Sequence, residues 1–180
     1  MSRALDIHAV KQCKACLTLS EDYVPAVGNP HADIMIVGGA STARDAADGH
    51  PFAGPCGEIL DMMLDQAGLN REQVYITNAL KCAPPDKRSG NPEEFEMCFG
   101  TWLKKELKFV NPSIVVLVGA DAWMAVTRGK IKFKHNEAVK GKNRTFLTVY
   151  HPGHFIRRGD IESFVDTVGN KLKELYGSVE

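Results

Sequence analysis

Four runs rich in β-branched and aliphatic residues punctuate the chain, at 33–37, 74–77, 114–118 and 145–150. The third is unbroken Ile-Val-Val-Leu-Val, the pattern of a strand covered on both faces in a parallel sheet. Between the runs the apolar positions fall at helical spacing: Ile59, Leu60, Met63, Leu64 and Ala67, then Phe95, Cys98, Phe99, Trp102 and Leu103. A last amphipathic stripe carries Ile161, Phe164, Val165, Val168, Leu172 and Leu175. Asn91-Pro92-Glu93-Glu94 supplies a cap, a proline at the first helical position and acids in the first turn. Alternating strands and helices predict an α/β fold, a three-layer α/β/α sandwich around a mostly parallel central sheet of about four strands.

Ligands of such sheets bind beyond the carboxyl ends of the strands. Those ends carry Gly38-Gly39-Ala40-Ser41-Thr42, Asn78, Gly119-Ala120 and His151-Pro152-Gly153-His154. The length of 180 residues fits one domain, 1–180, able to bury roughly 70% of the surface its unfolded chain would expose. Lys+Arg and Asp+Glu each total 22, so binding nucleic acid through bulk positive charge is excluded. The stretch 128–144 is a local exception, with seven Lys or Arg against Glu137, and reads as a basic loop or hairpin. The first residues lack an apolar stretch of signal-peptide length, which predicts a soluble cytoplasmic domain.

The count of 5 cysteines is odd, and the domain is large enough to fold on its core, so a disulfide framework is not expected. Cys13 and Cys16 form a C-x2-C pair, Cys82 sits in Lys-Cys-Ala-Pro-Pro, Cys98 lies on the apolar stripe of its helix, and Cys56 stands apart. The arithmetic suggests four ligands and a spare thiol. Thiolates hold iron–sulfur clusters and zinc alike, so ligand type leaves the metal open. Plain buried thiols are the bland alternative for Cys82 and Cys98.

Taken in order, these features resemble the iron–sulfur family 4 of the uracil-DNA glycosylase superfamily. The resemblance runs from Cys13 to about Arg158: the C-x2-C pair, Gly38 to Thr42, Gly49-His50-Pro51-Phe52-Ala53-Gly54, Asn78 with Lys81-Cys82-Ala83-Pro84-Pro85, Cys98, and the closing His151-Pro152 motif. It implies a [4Fe-4S] cluster on Cys13, Cys16, Cys82 and Cys98, and a pocket for a base flipped out of DNA. Phe52 would stack on that base beside Gly38 and Gly39. The Asn78 amide would match the O4 acceptor and N3–H donor of uracil. His151 would stabilise the charge that develops on the departing base. Ser41, Gly153, His154, Phe155 and Arg157 are the expected DNA contacts, with Phe155 as a wedge where the base left. The protein is expected to act as a monomer on single- or double-stranded DNA.

The chain departs from the family at its first motif. A Glu there, credited with positioning or activating the attacking water, is replaced by Gly39. Asp45 and His154 are the candidates to stand in for it. Three functions are compatible with this pattern: a uracil-DNA glycosylase, a glycosylase for a bulkier base, and a catalytically weak binder of DNA or base. A zinc-bound domain with no nucleic-acid role is a more distant fourth.

Overall fold

The computed structural model describes Cys13, residues 23–85 and residues 89–178. The strands are β1 (Val27–Gly28), β2 (Ile34–Ala40), β3 (Tyr75–Leu80), β4 (Ile114–Val118), β5 (Glu137–Lys140) and β6 (Thr145–Val149). Helices α1 (Ala43–Asp48) and α2 (Pro55–Gln66) follow β2. Helices α3 (Pro92–Cys98) and α4 (Lys104–Val110) follow β3, joined without a break by a π-helical turn at Phe99–Leu103. Helix α5 (Ala120–Thr127) follows β4, and α6 (Pro152–Arg158) and α7 (Ile161–Gly177) close the chain.

The sheet order is β1-β3-β2-β4-β6-β5. The β3-β2-β4-β6 centre is parallel, as predicted, while β1 and β5 pair antiparallel at the two edges. The sheet therefore has more strands than the sequence suggested. The basic stretch, expected to be a loop or hairpin, supplies β5, which pairs antiparallel with β6 just beyond it. β2 and β3 also run further than expected, so Gly38, Gly39, Ala40 and Asn78 are strand residues rather than loop residues.

Period-2 alternation divides the core between the two faces of the sheet. Ile34 and Ile36 of β2 pack with Ile76, Val116 and the apolar stripes of α2 and α7. Met35 and Val37 face the other way, toward Val115, Leu117 and Ala122. Full burial of each such side chain stabilises the fold by about 1.5–3 kcal/mol. On this second face Lys81 and Glu106 form an ion pair, N to O 2.5 Å, with side chains only 1% and 5% exposed. Thr77 completes the group, accepting from the ammonium and donating to Glu106 at 3.2 Å. A proline start and an Asn91 capping box fix the beginning of α3 as predicted. No helix among the described residues is long and apolar enough to cross a membrane.

Candidate active site

At the carboxyl ends of β2, β3, β4 and β6 lies a cavity of about 1190 Å³, lined among others by Gly39, Phe52, Cys56, Asn78, Asp121 and His151. The alternation that builds the core also places the site. Gly38 lies on the same sheet face as Ile36 and turns toward Phe52. A Cβ at Gly38 would sit 2.1 Å from Asn78 Oδ1 and 2.8 Å from Phe52 Cζ, so only glycine lets these two groups meet. Gly39 turns to the opposite face, where a Cβ would sit 3.2 Å from the Cβ of Asp121.

Phe52 has a φ of 55°, a left-handed conformation that bulky residues rarely adopt. Arg71 holds it there. Its guanidinium donates to the carbonyls of Pro51 (3.2 Å), Phe52 (2.8 Å) and Gly57 (3.3 Å) and is itself paired with Asp61 at 2.5 Å. Gly57 is required beneath, because a Cβ there would lie 1.8 Å from the Phe52 carbonyl oxygen. The result is an aromatic ring with 8% exposure, rigidly mounted at the pocket wall.

The Asn78 amide is oriented by a relay. Ser41 Oγ donates to the Leu80 carbonyl at 3.2 Å, which leaves its oxygen to accept from Asn78 Nδ2 at 3.0 Å. This arrangement fixes which end of the amide is the donor and leaves its second N–H and Oδ1 for a ligand. Ser41 is thus 2% exposed and spent on Asn78, not on the outer surface where a DNA contact was expected.

His151 caps α6 and accepts the Gly153 N–H through Nδ1 at 3.2 Å. An accepting Nδ1 places the proton of the neutral ring on Nε2, making that nitrogen the donor. Burial against the pocket wall pushes His151 below the ordinary histidine value; Asp121 opposes this and Arg157 adds to it. Gly153, expected at DNA, gives its N–H to this imidazole. Cys56 sits at the same corner, where burial raises its thiol and the Gly153 N–H offsets part of the rise.

Asp45 lines the pocket, but its carboxylate is consumed. One oxygen takes the Thr42 N–H and the other the Ala53 N–H, both at 2.8 Å, and the side chain forms a capping box with Thr42. These bonds clamp the loop carrying Phe52 and engage both oxygens of the acid that the sequence offered as a replacement for the missing base. Phe155 packs on Phe164, ring centroids 4.4 Å apart, and lies beside His135 and His154. It is a half-buried support rather than a projecting wedge. Its neighbour Ile156 and nearby Tyr150 are the exposed apolar groups at this rim, at 39% and 46%. His154 and Arg157 are exposed at the rim, as a DNA contact requires.

A second polar region adjoins the end of β3. Cys13 Sγ accepts from Trp102 Nε1 at 3.1 Å, and Cys98 Sγ accepts from the Lys81 N–H at 3.4 Å. Tyr23 bridges in backbone register to Cys82 and its ring lies 6.4 Å from that of Trp102. Hydrogen bonds to sulfur of this kind stabilise thiolate ligands, so the donor chemistry fits a metal cluster. Among the described residues no three Cys, His, Asp or Glu side chains close on a common point, and Cys16 lies outside the described residues.

An α/β/α sandwich whose parallel strands end at an aromatic ring, an oriented amide and an imidazole defines an α/β protein with a ligand cavity at its strand ends. Residues 25–173 match the family model described as the uracil DNA glycosylase superfamily, and the chain belongs to that superfamily. It is 34% identical over 183 aligned positions to the type-4 uracil-DNA glycosylase of Archaeoglobus fulgidus, spanning 95% of this chain and 92% of that protein. The type-4 uracil-DNA glycosylase of Thermotoga maritima is 33% identical over 154 positions, covering 82% and 80%. A type-5 uracil-DNA glycosylase of Pyrobaculum aerophilum is 33% identical over 148 positions, covering 72% and 65%.

Arg71 and Asp121 are site residues that the sequence alone did not point out. Arg71 carries no local signature, since its three carbonyl acceptors lie 14 to 20 residues away. Asp121 follows the Gly119-Ala120 strand end directly, and the same strand-end rule that singled out Asn78 and His151 reaches it.

Proposed function

We propose that this protein hydrolyses the N-glycosidic bond of uracil flipped out of DNA, releasing the base and leaving an abasic site. The observation that carries the reading is the convergence of Phe52, Asn78 and His151 on one cavity at the strand ends. Phe52 offers a flat apolar face to the base. Asn78 presents a donor to O4 and an acceptor to N3–H. Cytosine offers the reverse pattern, and the Ser41 relay prevents the amide from turning to suit it. His151 Nε2–H donates to O2, where negative charge grows as the C1′–N1 bond breaks. A neutral donor suits this task, because it stabilises the anion without protonating the base first.

Exposed Arg157 and Arg158 at the rim, and Lys130, Lys132, Lys140 and Lys142 of the basic stretch, are assigned to phosphate contacts. Cys13, Cys16, Cys82 and Cys98 are assigned as ligands of a [4Fe-4S] cluster. The group would tie the N-terminal segment to the end of β3 and to α3, a structural chemistry remote from the bond that breaks. The protein is placed in the cytoplasm and acts as a monomer.

The test is excision of uracil from a single-stranded oligonucleotide, read as strand scission after alkali. Scission at uracil and none at cytosine is the expected result. Binding of the same oligonucleotide without scission would overturn the enzymatic reading in favour of a base-binding protein.

A further inference from the structure

Two carboxylates line the cavity among the described residues, Asp45 and Asp121, and they differ in what their oxygens do. Asp45 is 4% exposed and accepts two backbone N–H groups. Asp121 is exposed to the cavity, and no hydrogen bond or ion pair among the described residues engages its carboxylate.

The fold sets this second carboxylate in place. Gly119, at a φ of 91°, turns the chain sharply out of β4, so that Asp121 falls in the first turn of α5. Asp121 Oδ2 lies 3.5 Å from the point where residue 39 would carry a Cβ. The bare backbone of Gly39 therefore opens the space into which this acid projects, and a side chain at 39 would compete for it. His151 is close enough across the cavity to feel the Asp121 charge. An uncommitted acid thus faces an imidazole donor across the cavity.

We propose that Asp121 is the catalytic residue that holds and deprotonates the water attacking C1′, an inference that rests on the glycosylase reading above. The C1′–N1 bond breaks and its electron pair leaves with the uracil ring, spread over N1, O2 and O4 and met by His151. The water oxygen bonds to C1′. Its proton passes to a carboxylate oxygen of Asp121 and from there to solvent. Before that transfer, the negative carboxylate also stabilises the positive charge that develops on the sugar.

The experiment is single-turnover excision of uracil from a single-stranded oligonucleotide by the wild-type protein, Asp121→Asn and Asp121→Glu, with oligonucleotide affinity measured alongside. Asp121→Asn should lose about 10²–10⁴-fold in rate, the range for one general base, with affinity held within about twofold. Asp121→Glu should recover part of the loss. Gly39→Glu combined with Asp121→Ala should also recover part, because it returns a carboxylate to the same space from β2. An acid that merely stabilises the first turn of α5 would move melting temperature and leave these rates alone.

Asp121→Asn within about threefold of wild type, or a loss carried wholly by affinity, would overturn the assignment while leaving the glycosylase reading intact. A wild-type protein that does not cut at uracil would overturn that reading and the assignment together.

Discussion

Asn78 and Lys81 stand three residues apart at the end of β3, yet they serve regions built on opposite principles. On the Asn78 side, polar groups are oriented and left partly unsatisfied: one amide N–H goes to Ser41, and the rest of the amide faces a cavity. On the Lys81 side everything is closed, with the ammonium, Glu106 and Thr77 satisfying one another in the core. The first region keeps hydrogen-bonding capacity for a ligand. The second spends all of it on the fold. Damage to one should therefore read out in rate, and damage to the other in stability.

The largest effect is expected from Glu106→Ala. Stranding Lys81 in the core without its partner should cost about 3–5 kcal/mol, measured as a shift in denaturant midpoint. Replacing Lys81 and Glu106 together by apolar residues of similar size should recover most of it. His151→Ala should leave the midpoint near that of wild type and lower the excision rate about 10²–10³-fold, the scale of losing one donor to a developing anion. A His151→Ala protein that melts early and cuts normally would dissolve the contrast between the regions.

Phe155→Ala sharpens the comparison at the rim. Because the ring packs on Phe164, its removal should destabilise by roughly 2 kcal/mol, below the range for a fully buried aromatic. It should slow excision equally on single and double strands; a loss confined to duplex would restore the wedge. Ser41→Ala should be milder, about 1 kcal/mol, with a clearer signature. Freed from the relay, the Asn78 amide can turn, so discrimination between uracil and cytosine should fall more than the rate on uracil.

The smallest effect concerns pH. Burial lowers both His151 and His135 below the ordinary histidine value. The unfolded chain then holds more protons than the folded one at acid pH. The contribution of these two residues is intact above about pH 6.5, is lost as pH falls, and levels off once both folded groups are protonated. Comparing denaturant midpoints of the wild type and His135→Gln on both sides of that value separates the His135 contribution from that of the pocket, since His135 lies outside the cavity lining.

The four parallel strands were legible because continuous aliphatic runs have little alternative but a doubly covered sheet. The edge strands were not. β1 is two residues long, and β5, Glu-Ala-Val-Lys, has no long apolar run to announce it. Helical periodicity located α3 and the turn at Phe99–Leu103 but could not separate a π turn from an α-helix, and it stopped short of α4. In the site, Phe52, Asn78 and His151 were singled out by strand ends and motif order, whereas residue type alone did not reveal that Asp45 clamps the Phe52 loop. Thr42 and Asp45 are spaced as a cap, the local signal that the acid was already engaged. Asp121 escaped because an acid in a helical first turn looks ordinary until the empty space at Gly39 is seen beside it.

The π turn at Phe99–Leu103 makes the rod from Pro92 to Val110 unusually forgiving of length. Gly100 lies within it, exposed, and a side chain added there would meet nothing within 4 Å, so almost any replacement should be tolerated. Loss of that single codon should be tolerated too. An α-helix turns about 100° per residue, and a π turn takes up one extra residue within that winding, so closing it to an ordinary turn leaves the residues beyond it facing as before. Cys98 would keep its place against Lys81, and Glu106 would stay beside the ammonium it neutralises. The wide turn holds a spare residue that the fold can spell freely or do without.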